Sequence, residues 1–123
     1  MNDLHDLSAS QLVRAFRHGE LSPVEVAQDV LSHIARWEPQ LHATWALDAE
    51  AALAAARASE ARWQRRQPQG ALDGVPVTLK ENIATRGLAV PLGTAATELV
   101  PAAEDAPPAA RLRTPEDVRA RVE

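Results

Sequence analysis

Among the thirteen Lys and Arg residues of this 123-residue chain, Lys80 is the only lysine, and it stands directly after the run Val75-Pro76-Val77-Thr78-Leu79. Arginine keeps its proton in a protein, whereas a lysine amine can lose one when buried, so a site needing a basic amine accepts only lysine of the two. To act as a base near neutral pH the amine must fall from about 10.4 by roughly three units, or about 4 kcal/mol, which burial can supply. Glu81 opposes this, because a neighbouring carboxylate favours the charged amine; in an extended segment, however, adjacent side chains point to opposite sides. From position alone, a solvated strand end paired loosely with Glu81 is the commoner fate of such a lysine.

Other candidates for chemistry are weaker. Ser8, Ser10, Ser22, Ser32 and Ser59 all precede this run and fall at helix starts or on helical surfaces, where bonding to the local backbone is a serine's ordinary role. None is expected to be a nucleophile. His5, His18, His33 and His42 lack the paired spacing of a metal site and read as surface or helix-end residues, so neither a metal nor a cofactor is expected. Trp37, Trp45 and Trp63 sit among helical apolar positions and read as core or shielding residues.

Three helices must carry Lys80. Ser8 and Gln11 have capping-box spacing, Leu12, Val13 and Phe16 follow as an apolar face, and Gly19 stops the turn. Ser22-Pro23-Val24-Glu25 repeats the start signal, and Val24, Ala27, Val30, Leu31 and Ile34 predict a second helix from about Pro23 to Trp37, closed by Pro39. In the third, Leu47, Ala51, Ala54, Ala58 and Ala61 step by four and three, leaving Arg57, Glu60, Arg62, Arg65 and Arg66 mostly outside. Gln67-Pro68-Gln69-Gly70 breaks that helix, and Asp73-Gly74 turns the chain into a strand over 75–79, with Lys80 at its end. Alone, that strand would offer an unprotected edge for another chain.

Prolines at 91, 101, 107 and 108 interrupt every period, so residues 84–108 read as one irregular stretch, and Thr114-Pro115 could cap only a very short last helix. Hydrophobic residues make up 46%, but aromatics only 3%, which predicts a thin core. A net charge of −4 without a basic stripe argues against nucleic acid. Zero cysteines exclude disulfides and thiolate metal sites. The acidic start does not resemble a signal peptide, and no apolar run approaches the roughly 18 residues of a membrane span, so a cytoplasmic protein without membrane association is expected.

The run Gly70-Ala71-Leu72-Asp73-Gly74-Val75-Pro76-Val77-Thr78-Leu79-Lys80-Glu81-Asn82-Ile83 resembles the catalytic-lysine motif of the amidase signature family. The likeness extends upstream through Gly19-Glu20-Leu21-Ser22 and the alanine-rich third helix, and downstream through Gly87, Gly93 and Pro101-Ala102-Ala103-Glu104-Asp105-Ala106, covering roughly residues 7–112. Two departures are mild: Glu81 stands where aspartate is usual, and Thr94 where serine is common.

The resemblance implies an α/β fold with a large mixed sheet between helix layers, of which this chain would hold the opening helices and first core strand. Residues 1–113 would be a partial amidase domain and 114–123 a divergent charged tail. It also implies carboxamide hydrolysis by a Ser, cis-Ser, Lys triad, with Lys80 as the lysine. The family's serines lie in a Gly/Ser-rich segment beyond the lysine, and nothing after residue 93 resembles it. The chain therefore reads as a truncated N-terminal piece, inactive alone, whose amide substrate would bind only after completion. A non-catalytic module or remnant that self-associates or docks on a C-terminal amidase polypeptide is the alternative.

Overall fold

Two serines begin the fold in the same way. Ser8 Oγ accepts the Gln11 amide at 3.3 Å while Gln11 Oε1 accepts the Ser8 amide at 2.8 Å; Ser22 and Glu25 repeat this at 3.1 and 2.8 Å. Each pair satisfies amides that a helix start leaves without partners. In the computed structural model, which describes residues 3–96 and 98–113, these boxes open α1 (Ala9–His18) and α2 (Pro23–Leu41). A 3-10 turn, Leu4–Asp6, precedes them; α3 (Ala49–Gln64) and α4 (Pro107–Arg113) come after. Two compact units divide between Pro76 and Val77.

In the first unit, Gly19 ends α1 at φ 69°, and the Glu20 amide returns to the Ala15 carbonyl at 2.9 Å. The second helix runs past Pro39, where the sequence pattern closes it. A proline near a helix end removes one donor from a single turn. Glu38 secures the exit from the helix: its carbonyl accepts the His42 amide at 2.9 Å, and its carboxylate accepts the Thr44 amide at 3.0 and 3.2 Å. His42 then turns away in the left-handed region, at φ 48°.

The core is thin, as composition predicts. Leu12, Phe16 and Val26 are buried together, with Leu4, Leu7, Leu21, Val30, Trp63 and Val75 packed around them. Burying such side chains contributes about 1.5–3 kcal/mol each. Phe16 and Trp63 lie 6.1 Å apart between ring centroids, tilted by 50°, a favourable aromatic separation. Trp37 and Trp45 are exposed instead, so the core reading holds for one tryptophan of three.

The buried face of α3 is not the one expected. Ala56 and Ser59 are buried and Leu53 and Trp63 half-buried, while Ala51, Ala54 and Ala58 are exposed. Nearly every turn of this helix offers an alanine, so hydrophobic period cannot choose between faces; Trp63 can.

The strand expected over 75–79 is not formed, and the described residues are helical with no strand. A ladder needs a facing row of donors and acceptors, Pro76 has no N–H to offer, and no described segment pairs with this run. The α/β reading is corrected accordingly for this part of the chain.

In the second unit, residues 84–96 and 98–106 are irregular but joined by backbone hydrogen bonds. The Gly87 amide donates to the Ala102 carbonyl, the Ala102 amide to the Leu88 carbonyl (both 2.9 Å), and the Ala106 amide to the Ala84 carbonyl (2.8 Å). Isolated bridges join Arg86 to Ala102 and Ala89 to Pro101. Pro107 and Pro108 do not interrupt a period here; they start α4, whose first turn has amides without partners in any case. Ala109 is buried. The expected last helix from Thr114 and the tail 114–123 lie outside the described residues.

Candidate functional site

The approach to Lys80 begins as an anchored turn. Asp73 is buried; its carboxylate receives a two-pronged bond from Arg62, Nε to Oδ2 at 2.7 Å and Nη2 to Oδ1 at 2.6 Å, and the Gln69 amide at 2.7 Å. Its carbonyl accepts Trp63 Nε1 at 3.1 Å. Burial pushes the Asp73 carboxyl up, but the Arg62 guanidinium and the Gln69 amide outweigh it and hold the group below the usual carboxylate range. Arg62 is thus the half-buried partner of a buried acid, not part of the solvated face.

Gly74 completes the turn. Its φ is 86°, and a Cβ there would lie 2.7 Å from both Pro23 Cγ and Ser59 Oγ. Only glycine meets both demands. The turn is closed by the Val75 amide on the Leu72 carbonyl at 3.0 Å.

Lys80 belongs to the second unit and is exposed. Its carbonyl accepts the Ile83 amide at 2.9 Å, which makes it the first residue of a tight turn. Among the described residues no carboxylate lies within ion-pair distance of its amine, Glu81 included. Glu81 is half-buried and faces the turn at Leu92 and Gly93, with Oε1 4.0 Å from where a Cβ on Gly93 would stand.

Ser8, Ser10 and Ser22 sit where local bonding puts them. Ser8 and Ser22 are caps, Ser10 Oγ is 3.1 Å from Ser8 Oγ, Ser32 is exposed on α2, and Ser59 is buried at 2% exposure. Sequence spacing does not suggest the Arg62–Asp73 pair or the contact of His5 with Asp29, since eleven and twenty-four residues separate the partners. Asp3, His5 and Asp6 bring one ligand-type atom each within 4.8 Å; two of the three are exposed carboxylates, and we assign no metal there. No helix among the described residues is long and apolar enough to cross a membrane.

The chain belongs to the amidase family, whose family model matches residues 25–116. It is similar to the A subunit of glutamyl-tRNA(Gln) amidotransferase from Chloroflexus aggregans, at 42% identity over 94 residues, and from Salinispora arenicola, at 40% over 94 residues; each match covers 76% of this chain and 19% of the relative. The protein of that name from Symbiobacterium thermophilum is 41% identical over 83 residues, 67% of this chain and 17% of its own length. The chain thus spans about a fifth of the length of the curated relatives it matches.

Proposed function

We propose that this chain contributes Lys80 as the general base of a carboxamide-hydrolysing site, with the nucleophilic and bridging serines supplied by other amidase-family sequence. The observation that carries this reading is the position of the chain's only lysine within the motif run at 70–83, inside the matched span 25–116. In the proposed reaction the neutral amine takes a proton through the bridging serine while the second serine attacks the amide carbonyl. The tetrahedral oxyanion rests on backbone amides, the carbon–nitrogen bond breaks with proton return to the departing nitrogen, and water releases the acyl group as a carboxylate. No serine follows Ser59 in this sequence, so both hydroxyls come from elsewhere.

Burial of Lys80 on assembly would supply the desolvation that a neutral amine requires. The relatives are named as amidotransferase subunits for glutamyl-tRNA(Gln), which makes simple carboxamides, glutamine among them, the first substrates to try. The test is ammonia release by the 123-residue chain alone and mixed with a serine-bearing remainder of an amidase-family domain. We expect none from the chain alone and turnover from the mixture; hydrolysis by the isolated chain would remove the proposed division of labour.

A second reading, a non-catalytic module that docks on another amidase-family polypeptide, is favoured by exposed Val77, Leu88, Leu92, Leu99 and Val100 in the second unit. It predicts co-purification with such a polypeptide and an assembly that Lys80→Arg leaves intact. A stable monomer that ignores this partner counts against it.

A further inference from the structure

One imidazole ties the N-terminal turn to α2. The His5 amide donates to Asp29 Oδ2 at 2.8 Å, and His5 Nδ1 lies 2.7 Å from the same oxygen. The groups facing the ring are Asp29 and His33 from α2 and Asp3 and Asp6 from its own segment; Asp3 Oδ2 is 3.9 Å from Nε2, and the His33 ring is stacked at 3.8 Å, tilted by 32°. Leu4 and Leu7, on either side of His5, pack against the Leu12, Phe16 and Val26 cluster. The turn therefore covers part of the core, and its polar attachment to α2 runs through a group that titrates near neutrality.

We propose that His5 is a proton-operated clasp, seating the Leu4–Asp6 turn on α2 while its ring is charged and loosening it when the ring becomes neutral. The charged ring must donate from Nδ1, giving a charge-assisted bond to Asp29. A neutral ring offers either a weaker Nδ1–H bond or, in the other tautomer, a lone pair set against a carboxylate oxygen. The hydrogen bond to Asp29 raises His5 above the ordinary histidine value despite the lowering effect of burial, and Asp6 and Asp3 add to it. The same bond holds Asp29 below the ordinary carboxylate value, although burial pushes it up.

These directions set the pH window. The His5 contribution is fully present below the unfolded histidine pKa and disappears as pH rises through the raised folded value; the Asp29 contribution is present above the unfolded carboxylate pKa and disappears as pH falls through the depressed one. The clasp is closed at mildly acidic pH and opens on the alkaline side. It does not depend on the role of Lys80.

The test is NMR on the full 123-residue chain from about pH 5 to about pH 9, following the His5 ring titration and the protection factor of the His5 amide. His5 is expected to titrate above the denatured chain, and amide protection to fall across that titration by about tenfold for each unit of difference. Asp29→Asn should lower the midpoint and flatten the protection profile, whereas His33→Gln should leave both in place. Protection that stays flat in the unaltered chain, or an undiminished pH dependence in Asp29→Asn, overturns the proposal. Should Asp29→Asn fail to fold, His5→Gln is expected to show the loosened level at every pH, and full protection in that variant at about pH 5 overturns it equally.

Discussion

The amidase motif of this chain divides into two halves with different kinds of support. Residues 70–75 lie in the first unit, where Asp73 is buried on Arg62 and Gly74 is pressed against Pro23 and Ser59. Residues 77–83 lie in the second, where Val77, Thr78 and Lys80 are exposed and the Ile83 amide donates to the Lys80 carbonyl. The first half makes its contacts within this polypeptide. The second half, which holds Lys80, leaves that side chain exposed and Leu79, Glu81 and Ile83 half-buried.

This contrast predicts graded effects in urea denaturation followed by tryptophan fluorescence. Asp73→Ala strands Arg62 and removes the acceptor of the Gln69 amide, so it should cost about 3 kcal/mol; a loss below half of that would show that the first unit does not depend on the anchor. Because the Asp73 carboxyl is held down, its contribution should be complete above the ordinary carboxylate pKa and fade as pH falls through the depressed folded value, a fading that Asp73→Asn should remove. Gly74→Ala meets both a left-handed φ and a 2.7 Å approach, and should cost about 2 kcal/mol. Ser22→Ala removes one cap of α2 and should cost about 1 kcal/mol. At the other end of the scale, Lys80→Arg should leave the midpoint within about 0.5 kcal/mol, as an exposed substitution does. A large loss there would erase the distinction between the halves.

The same physics decides how much of the fold and site is legible in the sequence. Ser8, Ser22 and Gly19 announce themselves because a cap is a local event, complete within four residues. The left-handed exit of α2 at His42 and the helix start at Pro107 escape a reading that treats proline as a stop, because proline's effect depends on which turn it occupies. The face of α3 is hidden because alanine carries almost no directional signal, and Arg62 looks solvated because its partner Asp73 lies beyond a helix break. Alternating aliphatic residues over 75–79 suggest a strand, but alternation states only a willingness to pair, and no described residue provides the mate. Lys80 is legible as a candidate through its uniqueness and its motif, while its exposure is not, because alternation over 75–79 does not say which segments pack against it.

The most direct measurement is carboxamide hydrolysis by this chain assembled with a serine-bearing remainder of an amidase-family domain, comparing Lys80 with Lys80→Arg. Arginine keeps the charge and reach but cannot take up a proton. Turnover is expected to fall by about a hundredfold or more while assembly and unfolding midpoint are unchanged. Turnover that survives the substitution would contradict the role of Lys80 as base.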